Sequence, residues 1–115
     1  MSLKQLKQNA YHEEDRADLQ TLEPEFDGIA QRWYEAPDEN NKSCIYLDVK
    51  DTATGKLITQ KFSSYHFPKL VDAFTALKLD GFGALVNSGK AYHYKQMNFN
   101  MGFPRWIPVS EVKKA

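Results

Sequence analysis

From Ser43 to Asp51 the chain reads SCIYLDVKD, with Ile45, Leu47 and Val49 at one parity and Cys44, Tyr46, Asp48 and Lys50 at the other. Successive side chains on a β-strand point to opposite faces, so this spacing predicts a strand with one apolar side and one mixed side. DTATG over residues 51–55 is turn chemistry, and Lys56 to Ser63 resumes with Leu57, Ile58 and Phe62. The two segments are expected to form a hairpin.

The flanking segments extend that hairpin. Asp27 to Ala36 carries Ile29, Trp33 and Tyr34, ends at Pro37 and predicts a strand before the polar DENNK loop. Phe67 to Lys78 changes period: Leu70, Phe74 and Leu77 fall at i, i+4 and i+7 with Val71 beside them, and Pro68 is tolerated in a first helical turn. This predicts one amphipathic helix. Asp80, Gly81 and Gly83 break it, Phe82 to Val86 reads as core that follows it, and Asn87, Ser88 and Gly89 mark a turn. Lys90 to Met97 has strand composition, Asn98 to Pro104 is a loop, and Arg105 to Val109 is a short last strand whose Pro108 favours an edge. Residues 3 to 22 predict a weak helix or an arm, closed by Pro24. The organisation expected is an acidic N-terminal arm over residues 1–25, one domain over 26–110 and a short tail over 111–115. Three strands, a helix and two strands is the element order of the OB-fold. The fold class predicted is therefore mainly β: a five-stranded OB-like barrel with one helix between strands 3 and 4, plus the N-terminal arm or helix.

At 115 residues and 42% hydrophobic content the chain suits a single core. It holds no run of 18 apolar residues, and its first 27 residues, with Lys4, Lys7, Glu13, Glu14 and Asp15, lack the apolar centre of a signal peptide. A soluble cytoplasmic protein without a membrane partner is expected. Cys44 has no second cysteine for a disulfide or a zinc cage, and inside an apolar run it reads as a small packed residue.

Formal net charge is zero, but the sign is not evenly spread. Residues 1 to 27 hold Lys4, Lys7 and Arg16 against seven acids, a net of −4, which leaves +4 on residues 28 to 115. A moderately basic body beside an acidic arm fits that division. Residues 81 to 110 contain no acidic residue at all, although the chain's 15 acids would place about four in thirty residues. The same stretch carries Lys90, Lys95 and Arg105 among Phe82, Tyr92, Tyr94, Phe99, Phe103 and Trp106. Cations interleaved with rings suit single-stranded nucleic acid, which offers phosphates to pair and bases to stack.

The candidate binding residues follow from parity. Tyr46 and Lys50 share the side of their strand opposite Ile45, Leu47 and Val49, so a tyrosine beside a lysine is expected to face outward. On the last strand Trp106 points away from Ile107 and Val109, which share the parity of Arg105. Lys90, Tyr92 and Tyr94 share one face of the strand before it, as binding surface or as core, with Lys95 on the other. Lys56 and Lys61 add cations on the hairpin. The predicted nucleic-acid site is thus Tyr46, Lys50, Lys56, Lys61, Lys90, Tyr92, Tyr94, Lys95, Arg105 and Trp106.

Catalytic patterns fail at required positions. Ser88, Gly89 and Lys90 approach a phosphate loop, yet alanines stand at 84 and 91 where glycine and Ser or Thr are needed. His12, Glu13 and Glu14 open like a zinc-protease helix, but Arg16 replaces the second histidine. No GxSxG elbow occurs, and His66 and His93 are isolated, as satisfied structural groups usually are. No enzyme activity, metal or cofactor is expected.

The pieces LEPEFDGIAQRWYE (Leu22 to Glu35), LVNSGKAYHYK (Leu85 to Lys95) and GFPRWIPV (Gly102 to Val109) resemble the small single-stranded DNA-binding proteins of bacteriophages. There a proline-acidic lead-in enters the first strand and a Gly-Lys pair opens the fourth, and the likeness spans roughly residues 22 to 110. It implies an OB barrel that coats single-stranded DNA, with little sequence preference and without catalysis, in phage-like replication or recombination in a bacterial host's cytoplasm. The chain departs from better-known cellular proteins of that kind by ending in Glu111, Val112, Lys113, Lys114 and Ala115 rather than in an acidic tail. RNA stays open as the strand bound, and self-association is compatible with an open sheet edge. The alternative is a protein-interaction module that buries Phe99, Phe103 and Trp106 of the 98–106 loop against a partner.

Overall fold

The computed structural model describes residues 22–99 and 104–113, so most of the expected N-terminal arm lies outside the described residues. Five strands, β1 (Glu25–Pro37), β2 (Ser43–Asp51), β3 (Leu57–Phe62), β4 (Ala91–Met97) and β5 (Arg105–Glu111), form one sheet in the order β3-β2-β1-β4-β5. Every neighbouring pair is antiparallel. A 3₁₀ turn (Ser64–His66), α1 (Phe67–Leu77) and α2 (Phe82–Ser88) lie between β3 and β4. The mainly β expectation holds, and its single helix is corrected to two. A second helix stands where the sequence suggested only core, because seven residues are too few to show a helical period, while Phe82 and Leu85 at i, i+3 still bury one face. Among the described residues no ladder joins β3 to β5, so the sheet is not closed by backbone pairing.

β1 organises the sheet because it is long enough to serve two partners. Residues 28–37 pair with β2 and residues 25–29 with β4, so both ladders meet at Gly28 and Ile29. Strands crowd there. A Cβ on Gly28 would overlap the Val49 Cγ1 methyl and sit 3.0 Å from the Phe26 ring, and Val49 is fully buried with no room to yield. Glycine is required at that position by close approach of the strands. A register shift between Ala30 and Arg32 then leaves Gln31 as a bulge, which bends β1 and sets the faces of its second half.

Phe26, Leu47, Val49, Ile58, Phe62, Tyr92 and Tyr94 pack the inner side of the sheet against Leu70 and Phe74 of α1 and Phe82 and Leu85 of α2. The rings interlock: Phe74 meets Phe82 edge-on at 5.1 Å, and Phe26 stacks on Tyr94 at 5.1 Å with 4° between planes. Such burial of rings is the main favourable term in a domain this small.

The two edge strands meet through side chains. The buried Gln60 carboxamide on β3 donates through Nε2 to the Trp106 carbonyl at 2.8 Å and accepts at Oε1 from the Trp106 N–H at 2.7 Å. It thereby substitutes for the residue that a ladder would supply. Arg105 Nε adds a bond to the Lys61 carbonyl at 2.6 Å. The edges form a seam without forming a ladder.

Among the described residues one core group lacks a partner. The Tyr94 hydroxyl is fully buried and finds no hydrogen-bond partner among them, and burial pushes its phenol pKa up. An unpaired buried hydroxyl costs about 1–3 kcal/mol, so Tyr94→Phe is expected to stabilise the fold by about 1 kcal/mol. Thermal denaturation should show a higher midpoint; a lower one would mean that the hydroxyl is paired after all.

Candidate nucleic-acid interface

The outer face of β1, β2 and β3 is built by register. Tyr34 on β1 stands opposite Tyr46 on β2, and Tyr46 opposite Lys61 on β3; one step along, Arg32, Asp48 and Thr59 form the next row. Cross-strand neighbours share a face about 5 Å apart, so these six side chains form a single patch. Tyr34 and Tyr46 stack at 5.2 Å with 8° between ring planes, and the Arg32 guanidinium lies over the Tyr34 ring at 5.9 Å. Tyr34 is 39% exposed and Tyr46 half-buried.

Arg32 is held there by a carboxylate. Asp48 has no solvent exposure; it accepts from Arg32 Nε on one oxygen and from Thr59 Oγ1 at 2.6 Å on the other. A buried carboxylate with both a cation and a hydroxyl is compensated, and the Arg32–Asp48 pair carries no net charge, so the positive charge of the patch is that of Lys61. The face therefore presents Lys61 with its exposed neighbour Glu39 3.9 Å away, and Arg32, beside a pair of rings. A 3.9 Å contact to an exposed carboxylate is readily given up to a phosphate.

Of the ten residues expected from sequence, the structure gathers Tyr46, Lys61 and Arg105. Lys50 keeps the outward parity expected of it and is exposed, four residues or about 13 Å further along β2. Lys90 is exposed near Glu111 at 3.4 Å, and Lys95 is exposed on β4 opposite Glu25, both away from the patch. Lys56 lines an acidic cleft of about 370 Å³ with Glu23, Glu25, Asp27 and Asp51, a setting that repels phosphate.

Three of the ten are corrected. Tyr92, Tyr94 and Trp106 are 3%, 0% and 1% exposed, and no base can stack on rings without open faces. Tyr92 and Tyr94 do share a face, and it is the core face, opposite Gly28 and Phe26 of β1. Trp106 fails the parity argument because Trp106, Ile107 and Pro108 are buried in succession: over these three residues β5 is covered on both sides. Its indole N–H donates to the Glu23 carbonyl at 2.8 Å. The acid-free stretch from 81 to 110 is thus largely explained by burial, since Phe82, Leu85, Tyr92, Tyr94, Trp106 and Ile107 all belong to the core.

Sequence reasoning missed Arg32 and Tyr34. Their parity opposite Trp33 was readable, but their alignment with Tyr46 depends on the Gln31 bulge and on ladder register. It also missed the company of the histidines. His93 bonds Asp27 Oδ1 through Nδ1 at 2.7 Å and Glu25 Oε1 through Nε2 at 2.9 Å, and the bonds to Glu25 and then Asp27 raise its pKa. Two carboxylates share this one imidazole, so the trio keeps a negative balance at the acidic end of the sheet. His66 is the reverse case: burial first, and then Arg105, hold it below its ordinary pKa, and its Nδ1 accepts from the Ser63 N–H at 3.0 Å.

Cys44 is buried as expected, and burial raises its thiol pKa. Among the described residues no group of three or more His, Cys, Asp or Glu side chains is arranged to hold a metal ion. No described helix is long and apolar enough to cross a membrane. Comparison of the chain with protein families, with curated proteins and with solved structures finds no match, so the interface is judged on its own chemistry.

Proposed function

We propose that this protein binds single-stranded nucleic acid, DNA in the first instance, on the outer face of β1, β2 and β3 and without catalysis. The observation that carries the reading is the stacked Tyr34–Tyr46 pair flanked by Arg32 and Lys61. A preformed ring stack is extended by an incoming base, and Lys61 beside it meets a phosphate while Asp48 holds Arg32 against the Tyr34 ring. The acidic cleft and the Glu25–His93–Asp27 cluster lie towards the other end of β1 and disfavour a polyanion there. Little sequence preference follows, because every base has a face to stack.

The order β3-β2-β1-β4-β5, with its outer strands bridged by Gln60 and Arg105, supports an OB-like reading in which the barrel has a side-chain seam in place of its last ladder. The resemblance to phage single-strand binders suggests the setting, replication or recombination in a bacterial cytoplasm. The protein-interaction reading of the 98–106 loop loses its largest anchor, since Trp106 is inside the fold.

Fluorescence anisotropy of labelled oligo(dT) tests the proposal. Binding should be firm at low salt, weaken with a negative log–log slope as salt rises, and exceed that of duplex of equal length. Tyr46→Ala should reduce affinity at least fivefold, and Lys61→Ala should lower the salt slope by about one. Lack of binding at low salt by folded protein refutes the proposal.

A further inference from the structure

Beyond Lys61 the surface does not end. The Lys61 carbonyl accepts from Arg105 Nε at 2.6 Å and the Pro104 carbonyl from Arg105 Nη1 at 3.3 Å, which holds the half-buried guanidinium across the β3–β5 seam from the Lys61 backbone. β3 then runs directly into the 3₁₀ turn, where Tyr65 is 48% exposed. Phe99, two residues after β4, meets the same turn: its ring is 4.6 Å from His66, edge-on, and 6.0 Å from Tyr65. His66 in turn meets the core ring Phe62 at 6.1 Å. A second aromatic cluster is therefore anchored into the core through His66, on the turn that follows the Lys61 end of β3.

We infer that Tyr65 and Phe99 form a second stacking site for the same single strand, and that Lys61 and Arg105 hold the phosphates between the two platforms. The inference rests on the proposed single-strand reading and adds to it a path and a length. Across one strand spacing and along the end of β3 the platforms are about 10–15 Å apart, more than adjacent stacked bases span. A ligand must then be several nucleotides long to reach both, within the range of about 4–16 nucleotides taken by single domains of this type. His66 serves as support: its Nδ1 is engaged by Ser63, it packs perpendicular to Phe99 and it is buried, which leaves Tyr65 as the ring with open surface.

The test compares labelled oligo(dT) of about three and about twelve nucleotides against wild type, Tyr65→Ala, Tyr65→Phe and Tyr46→Ala. Tyr65→Ala should cost about fivefold or more with the long oligonucleotide and less than about twofold with the short one, and Tyr65→Phe should restore the loss. Tyr46→Ala should weaken both. Because Tyr65 is exposed, its variants should melt with wild type; a loss of binding accompanied by a lowered midpoint counts against the inference. An unchanged affinity of Tyr65→Ala for the long strand, or equal losses with both lengths, overturns the second platform while leaving the first in place. Failure of wild type to bind either oligonucleotide overturns both.

Discussion

Trp106→Ala should destabilise the domain by about 3–5 kcal/mol, enough to unfold a large fraction of it near body temperature. The ring is 1% exposed within the core cluster, and its N–H satisfies the Glu23 carbonyl at 2.8 Å. Alanine leaves a cavity the size of an indole and removes the donor that ties the chain ahead of β1 to β5. Urea denaturation should give a markedly lower midpoint with little change in slope. Any loss of oligonucleotide binding should follow unfolding in proportion. A variant with wild-type stability and lost binding would return Trp106 to the binding surface and contradict the assignment to the core.

Gln60→Leu should be nearly as damaging, at roughly 2–5 kcal/mol, although leucine is apolar and similar in size. The reason is specific to the seam. Both Gln60 bonds go to the backbone of Trp106, and without them a buried N–H and a buried C=O are left without partners. Backbone pairing that β3 and β5 lack as a ladder is supplied here by one carboxamide. Hydrogen exchange at the Trp106 amide should accelerate far more than exchange in the β1–β2 ladder, marking a local opening of the seam. Equal protection at Trp106 in the variant would show that the seam is held by other contacts.

How much of this was legible can be judged residue by residue. Ser43–Asp51 was read to the residue, because strict alternation over nine positions leaves few other structures. Yet parity assigns a side and not an exposure: Cys44 and Asp48 share the outward side with Tyr46 and are buried, Asp48 beneath Arg32 and Thr59. On β5 even the side was misleading, since a strand covered on both faces has no solvent side to find. α1 was visible through Leu70 and Phe74, whereas α2 was too short to show a period.

The site divides in the same way. Tyr46 and Lys61 came from local pattern, and both stand on the patch. Arg32 and Tyr34 reach it through the bulge at Gln31, which shifts the register by one and is encoded by long-range packing rather than by neighbours in sequence. The compositional gap from 81 to 110 drew attention to rings that the core needed. Lys90 and Lys95 were credible cations by type, but β4 lies on the other side of β1 from the Tyr34–Tyr46 pair.

The placement of the single strand is tested most directly by photo-cross-linking oligo(dT) to the full chain and mapping the adducts by mass spectrometry. Adducts on the peptides that hold Tyr34 and Tyr46, suppressed by high salt, are the predicted result. Adducts confined to β4 or to the helices, or none at low salt, would contradict it.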